Sequence, residues 1–197
     1  MIYRIAFALL LLITVKHSVA DAVIFQTDFQ SPPDNWFVGG QWTFGEDGAV
    51  MHRTAPVWDD VLFTQLSAGG MDPIYFIPDG TDSLLIEIPY YIYVNNSEVS
   101  GGADFYINAF TDPGTDQSVF SLYVWQEGVY SDEGIIEYVY QHQGSGWLGF
   151  FIESTGGHEP GCGIVAHWEI HSITVTAFGD TLGLHQNTWA SIKSSYM

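Results

Sequence analysis

Lysine and arginine are nearly missing from this chain: four stand among 197 residues against 23 aspartates and glutamates, a formal net charge of -19. So few cations cannot neutralise a run of phosphates, which excludes nucleic acid and anionic membrane surfaces as partners. Cysteine is scarce as well. Cys162 is the single one, so no disulfide within the chain staples the fold. No apolar run reaches the ~20 residues that a membrane-spanning helix requires, the longest being Ile5 to Val15. Nucleotide binding and triad hydrolysis find no support, because no Gly-x-Gly-x-x-Gly follows a strand pattern and neither a phosphate loop nor a nucleophile elbow occurs.

What is present begins with a leader. Arg4, the apolar run behind it and the small-x-small triplet Ser18-Val19-Ala20 predict a secretory signal peptide over residues 1–20. No cysteine lies near the cut, so a lipoprotein anchor is not expected, and the mature chain is expected to be extracellular or periplasmic with no membrane span. Cleavage removes Arg4 and Lys16, leaving two cations against 23 acids and a net charge of -21. An acidic chain poor in aromatics would be disordered, but here 16% of residues are Phe, Trp or Tyr. Residues 21–180 suffice for one domain that buries about 70% of its unfolded surface.

Strand-length apolar stretches alternate with Gly, Pro, Asn and Asp clusters, and no sustained 3.6 period occurs before the tail. The stretches are Ala22 to Asp28, Gln41 to Phe44, Ala49 to Arg53, Val61 to Gln65, Ser83 to Val94, Ala103 to Phe110, Ser118 to Gln126, Ile135 to Gln143, Trp147 to Glu153 and Val165 to Ala177. They predict an all-β, antiparallel two-sheet β-sandwich of jelly-roll type. In the tail, residues 181–197, Thr188 caps and Trp189, Ile192 and Tyr196 recur at helical spacing, predicting a short helix that docks on the sandwich or serves as a surface attachment tag.

Two short motifs carry a family resemblance. Phe25-Gln26-Thr27-Asp28-Phe29-Gln30, followed by Trp36 and by Gly39-Gly40-Gln41-Trp42, resembles the start of bacterial secreted jelly-roll modules of the carbohydrate-binding and concanavalin A-like types. Trp168-Glu169-Ile170-His171-Ser172-Ile173-Thr174-Val175 resembles their last strand. The resemblance implies a structural calcium between first and last strands, with Asp28 as one ligand. Where the family commonly has aspartate in the last strand, this chain has His171 and Ser172, so Glu169 is the compensating ligand to test.

Within the predicted strands, successive side chains point to opposite faces, and one row is repeatedly aromatic and polar. Those rows carry Glu87, Tyr91 and Tyr93, then Asp104, Tyr106 and Asn108, then Tyr123 and Trp125, then Trp147. Aromatic planes stack on the apolar C–H faces of pyranose rings while carboxylates and amides bond their hydroxyls, so these residues are the candidate site for a polysaccharide or glycan. A covering loop or sheet would turn the same aromatics into core, which leaves a structural or adhesive cell-surface role as the alternative. Trp36, Trp42 and Trp58-Asp59-Asp60 offer a second candidate at the loop rim, unless the tryptophans plug the end of the sandwich.

A glycoside hydrolase is the third reading, with Glu87 and Glu153 as the best carboxylate pair and Glu137 as a further candidate. His167, Glu169 and His171 alternate as zinc ligands do, with His158 and Cys162 in the preceding loop. Against this, the apolar phase changes between Trp168/Ile170 and Ile173/Val175, which predicts a bulge at His171-Ser172 that turns His171 away from His167 and breaks the cluster.

Overall fold

The computed structural model describes residues 20–34, 36–54, 57–64, 75–97, 101–112, 116–157 and 164–179, and the regular structure among them is all β. Its thirteen strands are β1 (Ala20–Thr27), β2 (Trp36–Gly39), β3 (Trp42–Gly45), β4 (Gly48–Thr54), β5 (Trp58–Thr64), β6 (Tyr75–Ile77), β7 (Ser83–Asn96), β8 (Gly102–Asp112), β9 (Gln117–Val124), β10 (Gly128–Gln141), β11 (Gly146–Gly157), β12 (Ile164–Ile170) and β13 (Ile173–Gly179). The expected C-terminal helix, His158 and Cys162 lie outside the described residues, as does all of the expected leader except Ala20.

β7 organises the first sheet. Its row Leu84, Ile86, Ile88, Ile92, Val94 is fully buried, and the alternate residues Leu85, Glu87, Tyr91 and Tyr93 are half-buried on the outer face. Along one side β7 pairs with β10 throughout; along the other it pairs with β13 and then β12. β1 flanks β13, while β4 and β3 continue outward from β12. The second sheet runs β9, β8, β11, β5, β2, with β6 beside the start of β11. All pairings are antiparallel, which gives the expected two-sheet sandwich.

β12 and β13 are one line of chain with an interruption. Ile170 stands opposite Tyr90 and Thr174 opposite Glu87, so the inner register gains one residue at His171-Ser172. This is the one-residue bulge foreseen from the change of apolar phase, and it keeps both Ile170 and Ile173 buried. The His171 N–H donates to the Pro89 carbonyl at 3.0 Å.

Between the sheets, Trp168 of β12 is fully buried and meets Trp42 of β3 at 5.6 Å between ring centroids. It also meets Phe105 of β8 edge-on at 5.2 Å, so one side chain ties both sheets. Trp36 and Trp42 are buried, with the Trp36 Nε1–H donating to the Tyr75 hydroxyl at 2.8 Å. They close the sandwich and do not form a rim. At the same level Arg53 reaches from β4 to β5, where its Nε and Nη2 donate to the two oxygens of the fully buried Asp60. Asp60 also accepts the Gln41 N–H at 2.8 Å, and Gly40 is at φ +85°, where a Cβ would sit 1.4 Å from Asp60 Oδ1. Only glycine fits that turn.

Candidate functional site

The sequence-level candidates fall on two opposite faces. Asp104, Tyr106, Asn108, Tyr123 and Trp147 lie on the outer face of the second sheet with Trp125 just past the end of β9, whereas Glu87, Tyr91 and Tyr93 lie on the outer face of the first. Period-two alternation sorts residues within a strand but does not say which sheet the strand joins. One continuous site containing all nine is therefore not what the fold builds.

On the second sheet the polar and aromatic groups form a connected set. The Trp125 Nε1–H donates to Asp104 Oδ1 at 2.5 Å, and the Tyr106 hydroxyl donates to Asp104 Oδ2 at 3.4 Å. Tyr106 meets Tyr123 edge-on at 5.5 Å. The Trp125 indole lies over Gly102, where a Cβ would come within 2.3 Å of the ring, so the glycine permits the ring to lie down on the strand. Despite this fixing, Trp125 keeps 50% of its surface exposed and Tyr123 keeps 59%. The face is open at these rings. Asp104 spends both oxygens orienting aromatics, so its role is to position ring planes. Desolvation, the Tyr123 hydroxyl and the Asp104 carboxylate hold the Tyr106 phenol well above its ordinary range, so it remains a protonated donor at any physiological pH.

The same face carries an aromatic row that the sequence candidates omitted. Phe37 of β2, Phe63 of β5 and Phe151 of β11 stand in register across three strands, with ring centroids 4.7 Å and then 6.1 Å apart and both pairs stacked at about 30°. Asn108 is the next residue in that row, opposite Phe151. Beyond them, half-exposed Trp147 packs edge-on to Phe110 at 5.9 Å. Phe63 and Phe151 each sit in an alternating strand, a signal present in the sequence, but their adjacency depends on a pairing that the sequence leaves open.

Glu153 stands opposite Tyr106 on one side and Val61 on the other. Desolvation, with Asp59 nearby adding like-charge repulsion, pushes its carboxyl above the usual range. The raised folded-state value makes stability fall as pH rises above the unfolded pKa of about 4.3. Glu153→Gln is therefore expected to raise the melting temperature at neutral pH, with the difference vanishing below about pH 4; equal gains at both pH values would contradict it. Glu87 lies on the opposite sheet, so Glu87 and Glu153 do not share a cleft. Glu87 instead faces Glu137 across the β7–β10 pairing, on a sheet surface. Trp58 is buried with its Nε1–H on Ser154 Oγ at 3.2 Å, so of the Trp58-Asp59-Asp60 triplet only Asp59 is exposed.

The two acids expected to hold calcium are not assembled into a metal-binding group among the described residues. Asp28 Oδ1 accepts the Gln30 N–H at 3.2 Å in a local turn. Glu169 is engaged by His167 Nε2 at 2.7 Å and faces His171 Nε2 at 3.6 Å. Among the described residues no group of three or more His, Cys, Asp or Glu is arranged to hold a metal ion. Glu169 is held by the two histidines, so of the two expected acids only the exposed Asp28 keeps an oxygen for a hard cation that wants 6–8 of them. The bulge leaves His171 Nε2 within 3.6 Å of Glu169 Oε2.

The two antiparallel sheets form an all-β sandwich whose second sheet exposes aromatic rings on its outer face. Solved structures similar to this chain include TmCBM61 in complex with β-1,4-galactotriose, at 10% identity and TM-score 0.38, covering 72% of this chain and 88% of that one. Another is the Clostridium thermocellum endo-1,4-β-D-xylanase 10B with its CBM22-1 and GH10 modules and xylohexaose, at 13% identity and TM-score 0.39, covering 82% of this chain and 30% of that one. A third is the carbohydrate-binding module CBM36 in complex with calcium and xylotriose, at 10% identity and TM-score 0.29, covering 79% of this chain and 100% of that one. No family model matches the sequence, and no curated protein does. What the face can do follows from its own side chains.

Proposed function

We propose that this protein is a secreted module that binds a polysaccharide or glycan, without cleaving it, on the outer face of the second sheet. The observation that carries this reading is the Trp125–Asp104–Tyr106–Tyr123 set, in which a carboxylate bonds the Trp125 and Tyr106 side chains and Tyr106 packs edge-on to Tyr123, with Trp125 and Tyr123 half-exposed. Rings fixed before binding lose little rotamer entropy on stacking against a sugar, and Asn108 and Glu153 stand beside them to bond hydroxyls. The Phe37–Phe63–Phe151 row lengthens the apolar track. A net charge of -19 favours neutral chains over uronic acid polymers.

A screen of immobilised glycans and soluble polysaccharides, with β-1,4-galactan and xylan among the first, tests the proposal. Retardation of the protein in affinity gels by at least one neutral polysaccharide, with no release of reducing ends, supports it. No retention on any of them would leave the adhesive alternative standing, and release of sugar would favour the hydrolase.

A further inference from the structure

The opposite face carries a second arrangement of a different kind. His52 of β4 and His167 of β12 are directly paired across the strands, and their Nδ1 atoms face each other at 3.3 Å. The rings meet edge-to-face, at 62°. His167 gives its other nitrogen, Nε2, to Glu169 Oε1 at 2.7 Å. With its proton on Nε2 toward the carboxylate, His167 accepts the His52 Nδ1–H on its own Nδ1, and the other His52 tautomer, with the proton on Nε2, frees that second Nδ1 as well. Neutral imidazoles of this kind are donors for borderline divalent metals, and a carboxylate on the remote nitrogen is the usual means of orienting such a ligand and raising its basicity.

From this geometry we propose that His52 and His167 form a two-imidazole clamp for a borderline divalent transition metal of the zinc, copper and nickel class. Two metal–nitrogen bonds of about 2.0–2.1 Å meeting at a tetrahedral angle put their nitrogens about 3.3 Å apart. The observed separation matches that edge without movement of either strand. The clamp supplies two protein ligands, so the remaining positions belong to water or to a donor brought by another molecule; a group of three protein ligands is not needed. Glu169 acts through His167 as a positioning residue. The Tyr91 ring, 6.1 Å from His167 and edge-on, walls one side. The acidic field of the whole chain, -19 in formal charge, draws cations toward the surface. Calcium and magnesium, which prefer oxygen, are not expected to bind here.

The test is calorimetric titration of zinc chloride into tag-free protein, paired with melting curves with and without zinc. Wild type is expected to take up one zinc per chain and to melt higher in its presence. His52→Ala and His167→Ala abolish both the uptake and the shift while melting like wild type without zinc. Glu169→Gln weakens zinc binding by roughly 10- to 100-fold, and His171→Ala leaves it unchanged. His171→Ala behaving like His167→Ala would replace the proposed clamp by a cluster along β12. Absence of zinc uptake by wild type, or uptake undiminished in the His52→Ala/His167→Ala double variant, would overturn the proposal. Neither result bears on glycan binding by the other face.

Discussion

Arg53→Met lowers the free energy of unfolding by about 3–5 kcal/mol, the range seen when one partner of a buried ion pair is removed. Asp60 is fully buried and the Arg53 side chain keeps 16% of its surface exposed, and the pair is two-pronged across the two sheets. Without the guanidinium, Asp60 keeps only the Gln41 N–H as a donor and its charge has no counterion. Arg53 is also the single lysine or arginine among the described residues. For a domain of this size the loss corresponds to a melting temperature lower by roughly 6–20 °C. Arg53→Lys recovers only part of it, because an ammonium lacks the planar fork. Arg53→Met/Asp60→Leu is expected to be less damaged than Arg53→Met alone, since removing both charges leaves the Gln41 N–H as the main unsatisfied group. Thermal melts of the three variants check this; Arg53→Met melting within about 2 °C of wild type would show that the pair contributes little.

Trp125→Ala raises the Kd for the best neutral polysaccharide by about 30-fold or more, an effect of about 2 kcal/mol that is typical of an aromatic anchor at the centre of a contact. The folded protein is affected little, because the ring is half-exposed and packs on Gly102 at the surface. Asp104→Asn gives a smaller loss: the amide still accepts from Trp125 on its oxygen, but only one of the two orienting bonds survives as an acceptor contact. Tyr91→Ala, on the other sheet, leaves affinity unchanged. Affinity gels with and without the polysaccharide measure all three. Trp125→Ala and Tyr91→Ala with equal effects would show that the ring set on the second sheet is not the binding surface.

The strands of this fold were legible where one face is buried and the other wet, as in β7, whose two rows separate cleanly in the sequence. The sequence pattern predicts a strand from Ile135, whereas β10 begins at Gly128. It is an edge strand, so Ser131, Asp132, Glu133 and Gly134 read as loop while they pair with β7. The short strands β2 and β6 left too few residues for alternation to show. The bulge at His171-Ser172 was legible because it is a local change of apolar phase.

Long-range neighbours were not. Glu87, Tyr91 and Tyr93 share a residue pattern with Asp104, Tyr106 and Tyr123 but not a sheet. His52 was never a candidate, since nothing in its own segment places it beside His167, and Phe37 and Phe63 become a ladder only through the β2–β5–β11 register. Trp36 and Trp42 follow the reading in which they plug the end of the sandwich, whereas Asp60 departs from the rim expected of it. Its chemistry suits a rim, but burial and the Arg53 pair make it part of the frame.

The location of the binding face is decided most directly by amide and indole shift mapping in heteronuclear NMR while a neutral oligosaccharide is titrated into labelled protein. The account predicts that the Nε1–H signals of Trp125 and Trp147 and the backbone of β8 and β11 move, while Tyr91, Tyr93 and His167 stay still. Movement confined to the β7 and β12 face would contradict it.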